Sequence, residues 1–189
     1  PNTFVRYFIE ATDTGGQVSR LAYQGAGFVG TDTSSGFFNF TVLDHQPKIS
    51  DIQYTMYSHG VSPYYGATTT LRGVITADTS DLELIPHGTF NGTTAWYLQD
   101  GTQPWSGIWL TSDSTTTSLF LHLRKGDSVA VTGRIGELNT VTQMYSVTSV
   151  VVVDSNKTLP QPILLTTGTF AQGSQNAEQY EGMLVKVVG

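Results

Sequence analysis

The stretch Thr68-Thr69-Thr70-Leu71-Arg72-Gly73-Val74-Ile75-Thr76-Ala77 decides the fold class. Six of its ten residues are β-branched. Such side chains are stiff at χ1 and pack well on a pleated surface. Gly73 sits inside the run, where a strand bulges or bends sharply. Similar runs follow. Residues 94–99 (TAWYLQ) end on Asp100-Gly101, and residues 107–111 read GIWLT. Residues 128–138 (SVAVTGRIGEL) carry Gly133 and Gly136 as bend points, and residues 142–154 end in four valines and Asp154. Residues 114–123 suit one short helical connection leading into the turn Lys125-Gly126-Asp127. These are five strands, with a helical connection after the third and glycine kinks in the first and fourth.

That pattern predicts an OB-like five-stranded barrel over residues 47–155. Upstream, residues 4–11 alternate with a period of two, which is a strand signal. Asp13-Thr14-Gly15-Gly16 is hairpin chemistry. Residues 17–23 suit the return strand, 25–36 a Gly-rich loop, and 37–43 a further strand. Residues 1–46 thus supply about three strands, roughly half of the seven a sandwich usually has. Downstream, residues 156–189 read as an extended tail set by Leu159-Pro160-Gln161-Pro162. One helical turn at 178–181 precedes a terminal strand. The expected class is all-β: an incomplete sandwich segment, a barrel and a C-terminal strand.

Composition agrees. The 189 residues include 28 Thr and 16 Ser, while charged residues make up only 13 %. Ample aromatics and low charge argue against disorder. A net charge of −6 excludes a basic nucleic-acid arm or an anionic-membrane binder. No cysteine is present, so disulfides, Cys-ligated metals and thiol catalysis are excluded. No apolar run approaches 18 residues, so no membrane insertion is expected.

The combination Ser62-Pro63, Thr68–Ala77, Trp96-Tyr97-Leu98-Gln99-Asp100, Ser106-Gly107-Ile108, Lys125-Gly126-Asp127, Val131-Thr132-Gly133, Thr142-Gln143, Leu159-Pro160 and Tyr180-Glu181-Gly182-Met183-Leu184-Val185 resembles a known module. It is similar to the OB-fold domain of bacterial extracellular nucleases and related multidomain surface proteins. The resemblance covers about residues 49–188. Residues 1–46 resemble, less specifically, the last strands of a fibronectin- or immunoglobulin-like domain. The resemblance implies a secreted, multidomain parent at the extracellular or cell-surface side. It also implies that nuclease activity resides in a separate domain downstream.

No catalytic motif accompanies it. His45 and His59 fall in linkers, His87 in a loop, and His122 between Leu121 and Leu123, where packing is expected. None lies in a HExxH or triad pattern. Asp78, Asp81 and Glu83 share one loop and are the candidate calcium ligands, without EF-hand spacing. No other cofactor is expected. Asp100 reads as a turn aspartate capping its own backbone.

OB-folds bind on the face of their second and third strands. Here that face offers Tyr97, Trp105 and Trp109, with Arg72 and Arg134 as flanking cations. Aromatic rings there stack on bases or sugars; the alternative is that they belong to the core. Residues 47–154 hold five basic and nine acidic side chains, net −4. Phosphate neutralisation supplies most non-specific affinity, so this balance disfavours nucleic acid. A polysaccharide or a protein fits better.

Both chain ends read as strands, so the chain is expected to be a piece of a longer protein. The terminal strand, with Met183, Leu184, Val185 and Val187, carries one Lys and no Pro. Such an edge invites pairing with neighbouring β-modules or copies of itself. The leading expectation is a non-catalytic secreted structural module of a surface or filament protein. The alternatives are a nuclease's accessory nucleic-acid-binding domain and a carbohydrate-binding module. Asn91 and Asn156 lie in loop sequons and are the candidate glycosylation sites.

Overall fold

The computed structural model describes residues 3–25, 28–34, 36–55, 60–78, 81, 89–90, 93–113, 115–171, 174 and 176–189. The chain is all-β. Its N-terminal part forms β1 (Thr3–Tyr7), β2 (Ile9–Thr12), β3 (Val18–Gly25), β4 (Phe28–Gly30) and β5 (Phe38–Val42). The alternating run 4–11 is expected to be one strand and is instead divided at Phe8. Its first half pairs with β5 and its second half with β3. Two partners on different sheets cannot be served by one straight strand. The Asp13 turn forms as expected: the amides of Gly15 and Gln17 both donate to Asp13 Oδ1, at 2.8 and 2.9 Å. The Gly-rich loop contains β4, which pairs with β3.

A short helix α1 (Ile49–Gln53) follows, ahead of the first barrel strand. Asp51 Oδ2 accepts the Lys48 amide at 2.9 Å, and Asp100 Oδ2 accepts the Ile49 amide at 2.9 Å. Orphan N–H groups of the first turn are thereby satisfied. Asp100, expected as a local turn residue, therefore also ties the helix start to the end of a strand 51 positions away.

The remaining strands are β6 (Thr68–Ala77), β7 (Thr89–Phe90), β8 (Thr93–Gln99), β9 (Gly107–Ser112), β10 (Ser128–Leu138), β11 (Val141–Asp154), β12 (Ile163–Thr166) and β13 (Val185–Val188). Five of them close into a ring in the order β6-β8-β9-β11-β10 and back to β6. Every pairing in the ring is antiparallel except β9 with β11, which meet in parallel at Trp109↔Gln143 and Leu110↔Met144. Gly73 permits the closure. A Cβ there would lie 2.7 Å from the Gln99 carbonyl oxygen on β8.

The ring encloses Leu71, Ile75, Leu98, Ile108, Leu110, Val129, Val131, Ile135 and Met144, with Ile49 and Ile52 of α1 packed against them. A 3-10 turn at Thr117–Leu119 lies between β9 and β10 and brings in Phe120. Phe120 stacks on Trp96 with ring centroids 4.5 Å apart and 20° between planes. His122 is exposed rather than packed, and Leu121 is 66 % exposed. The period-two reading fails there because the segment is a turn, not a strand; only Leu123 points inward.

Strands β12 and β13 pair in parallel, Ile163↔Val185 through Thr166↔Val188. One edge of the terminal strand is thus used inside the chain. No described helix is long and apolar enough to cross a membrane.

Candidate groove and the covered aromatic face

The candidate residues do not converge on one place. Arg72 points outward from β6 and is exposed. It lines a groove of about 790 Å³ with Lys48, Gln99, Asp100, Gln103 and Thr158. The groove runs between the start of α1, β6 and the loop joining β8 to β9. Burial raises the Asp100 carboxyl from the usual value, against the bond from Ile49. Its Oδ2 already accepts that amide, so the carboxylate is partly spent on the helix start.

Arg134 does not converge with Arg72. Along β10, Ala130 faces Arg72 and Arg134 faces Thr68. Four residues of strand separate the two positions, roughly 13 Å. Arg134 Nε donates to the Gly66 carbonyl at 3.0 Å.

Tyr97 and Trp109 are direct cross-strand partners on the outer face of β8 and β9. They lie side by side, yet they are not an open platform. Trp109 is 8 % exposed and Tyr97 half-buried. All six residues of β9 are buried, so its outer face is covered as well as its inner one. On that outer face Thr111 Oγ1 donates to Gln143 Oε1 at 2.7 Å. Trp105 stands apart and meets Tyr54 edge-on, with centroids 5.7 Å apart. Its φ of 72° is strained for a bulky side chain.

The segment 178–184 runs beside this face. Trp105 N–H donates to the Gln179 carbonyl at 2.7 Å, and Leu184 N–H donates to Gln99 Oε1 at 2.9 Å. Thr142 N–H donates to Glu181 Oε2 at 2.9 Å. Gly107 and Gly182 approach so closely that a Cβ on Gly107 would sit 2.4 Å from the Gly182 oxygen. The expected helical turn is present as a 3-10 turn at Glu178–Tyr180.

Three carboxyls gather at this junction. Glu137 Oε1 accepts the Ser62 amide and the Thr142 hydroxyl, while its buried Oε2 has no hydrogen-bond partner among the described residues. Burial raises Glu137, and burial with the nearby Glu137 charge raises Glu178. Glu181 is pushed up to about 8, chiefly by burial and further by Glu178 and Glu137. Burial and the Glu181 charge also raise the Tyr97 phenol. No spacing along the chain signals this cluster. Its members lie 41 and 3 positions apart in the chain, and the folded chain joins them through Thr142, which bonds both Glu137 and Glu181, and through the packing of Gly182 on Gly107.

Asp78 and Asp81 adjoin one another, but their oxygens face protein donors. Asp81 Oδ2 accepts the Asp78 amide at 3.0 Å, and Asp81 Oδ1 pairs with Lys125 Nζ at 2.5 Å. Asp78 Oδ2 accepts the Lys125 amide at 3.4 Å. Glu83, Asn91, His59 and His87 lie outside the described residues. Among the described residues no group of three His, Asp or Glu is placed to hold a metal ion. His45 bridges Asp44 and Asp51 at 3.0 and 2.9 Å, and these bonds raise its pKa. Asn156 is exposed in the loop after β11. Met183 is buried, Leu184 and Val185 half-buried, and Val187 exposed.

No family model matches the chain. The chain is 34 % identical to the endonuclease YhcR of Bacillus subtilis over 119 residues, which is 62 % of this chain and 9 % of that protein. Among solved structures it is similar to the OBodies AM1L10 and AM3L15, each bound to hen egg-white lysozyme. The identities are 10 % and 13 %, the TM-scores 0.37 and 0.38, covering 49 % and 59 % of this chain and 83 % and 99 % of those. A likeness that loose does not fix the fold.

Proposed function

We propose that the chain is a non-catalytic accessory β-module of a larger secreted nuclease-type protein, and that its groove at Lys48 and Arg72 makes weak contact with a polynucleotide backbone. The observation that carries this reading is the 34 % identity to an endonuclease confined to 9 % of its length. A similarity restricted to so small a share suits a module rather than a whole enzyme. The ring order, with one parallel contact between β9 and β11, supports reading residues 47–155 as an OB-type barrel. Burial of Trp109 weighs against stacking on bases or sugars at the second-strand and third-strand face. That leaves the exposed Arg72 as the better contact, with Lys48 beside it.

Two cations give little affinity and a shallow salt dependence. Retention on immobilised single-stranded DNA is expected only at low salt, with log K falling against log salt at a slope of about −1.4. Arg72→Ala is expected to reduce that slope to about −0.7. No retention near 50 mM salt, or retention indifferent to salt, refutes the contact.

A second reading keeps the chain as a structural module that assembles with neighbouring β-modules. It is favoured by the exposed apolar end of β11, where Val151 and Val153 are 53 % and 58 % exposed. Sedimentation of the full chain as a monomer at all concentrations would rule it out.

A further inference from the structure

We propose that residues 178–184 are a detachable cover over the Tyr97–Trp109 face of the barrel, and that raising the pH through the neutral range lifts it.

The segment is attached at two points beside Trp109, and its Glu181 lies near a third neighbour of that residue. Gly182 packs on Gly107 and Ile108, immediately before Trp109 on β9. Glu181 accepts the amide of Thr142, which adjoins Gln143, the β11 partner of Trp109. Tyr97, the β8 partner of Trp109, feels the Glu181 charge. Among the described residues the bonds that tie it to the barrel are Trp105 to Gln179, Leu184 to Gln99 and Thr142 to Glu181, while its Leu184 carbonyl accepts the Ile163 amide of β12. The ring beneath is closed by its own ladders and does not need the segment to complete any of them.

The groups facing Glu181 decide the sign. Glu178 comes from its own segment, Glu137 from β10 and the Tyr97 phenol from β8. Among the described residues the charged neighbours that act on it are the carboxyls of Glu178 and Glu137. Docking therefore favours a protonated Glu181. Below pH 4.5 docked and free segments both hold the proton, and pH has no effect. Between 4.5 and about 8 the docked form keeps a proton that the free form has lost. Docking then weakens by up to tenfold per pH unit. Above about 8 both forms are ionised and the dependence ends. The cover is tightest in acid and loosest in mild alkali. When it lifts, the face of the second and third ring strands is uncovered, with Tyr97 and Trp109 side by side.

The cover stands on this geometry and not on the polynucleotide contact, so the test involves no nucleic acid. Amide exchange of the full chain is measured at pH 5 to 9 and corrected for intrinsic rates. The reporters are the amides of Trp105, Thr142 and Leu184, which cross the junction. The controls are Ile75 and Ile135, bonded to Asp127 and Ala67 away from it. The expected result is a fall of at least tenfold in protection at the reporters between pH 5 and 8, levelling above that, with steady controls. In Glu181→Gln the reporters are expected to vary less than threefold. Constant reporters, or controls that fall with them, overturn the proposal. So does a Glu181→Gln chain with an unchanged pH response. If that variant does not fold, the contrast between reporters and controls in the unaltered chain still decides.

Discussion

Phe120→Ala is expected to lower stability by about 3–5 kcal/mol, the usual cost of deleting a fully buried Phe. For a chain of this length that is a fall of roughly 6–20 °C in Tm, read by calorimetry or near-ultraviolet dichroism. The site leaves little room for relief. Phe120 is 0 % exposed, and its ring stacks on Trp96, itself only 2 % exposed. Trp96 is held by β8, which is paired with β9 on one side and with β6 and β7 on the other. The 3-10 turn that delivers Phe120 is short, and its carbonyls and amides are committed: Phe120 N–H bonds the Thr117 carbonyl, and Leu123 N–H bonds the Phe120 carbonyl. Neither partner can slide into the vacated volume, so most of the cavity persists. Leu121→Ala, one residue along and 66 % exposed, is expected to change stability by less than 0.5 kcal/mol in about the same assay. Equal losses from the two changes would show that the turn is not a plug.

That contrast also marks how far the sequence can be read. β6 and β10 run where their β-branched residues place them, residue for residue, and β8, β9 and β11 differ by one residue at an end. Local side-chain pattern decides such strands because one face must be apolar. The turn after β9 is different. Leu121, His122 and Leu123 alternate like a strand, yet Leu121 is 66 % exposed while Leu123 is buried, because a turn obeys no two-residue period. Tyr97 and Trp109 are placed by sequence on the face of the second and third strands, and they do lie side by side on the outer face. Their burial was not legible. The neighbours there include Gly182 and Glu181, far downstream in the chain, and distance along the chain carries no signal in a single sequence. The same holds for Asp100, whose partner is an amide 51 positions upstream. The grouping of Glu137, Glu178 and Glu181 likewise needs the folded chain.

Gly107→Ala is expected to expel the C-terminal segment while leaving the ring closed. The new Cβ would lie 2.4 Å from the Gly182 oxygen, 2.5 Å from its carbon and 2.6 Å from the Met183 nitrogen. All three are backbone atoms, so no side-chain rotation relieves the contact. Gly107 itself cannot retreat. Its carbonyl accepts Gln53 Nε2 from α1 at 2.6 Å, and on β9 it pairs with Gln99. Gly182 is the weaker side, since it sits at φ 68° in a segment held by few bonds. The overlap is therefore resolved by lifting residues 178–184. Overpacking of this kind costs about 1–3 kcal/mol. Tm is expected to fall by roughly 2–12 °C, and protease is expected to cut after Lys186 faster than in the unaltered chain, leaving the barrel whole. Gly168→Ala is the matched control, because its Cβ would meet nothing nearer than Thr166 Oγ1 at 3.8 Å. It is expected to leave both Tm and cleavage unchanged. If Gly107→Ala instead unfolds the ring, with Ile75 and Ile135 amides exposed together with Leu184, the segment is part of the barrel's own structure rather than a cover laid upon it.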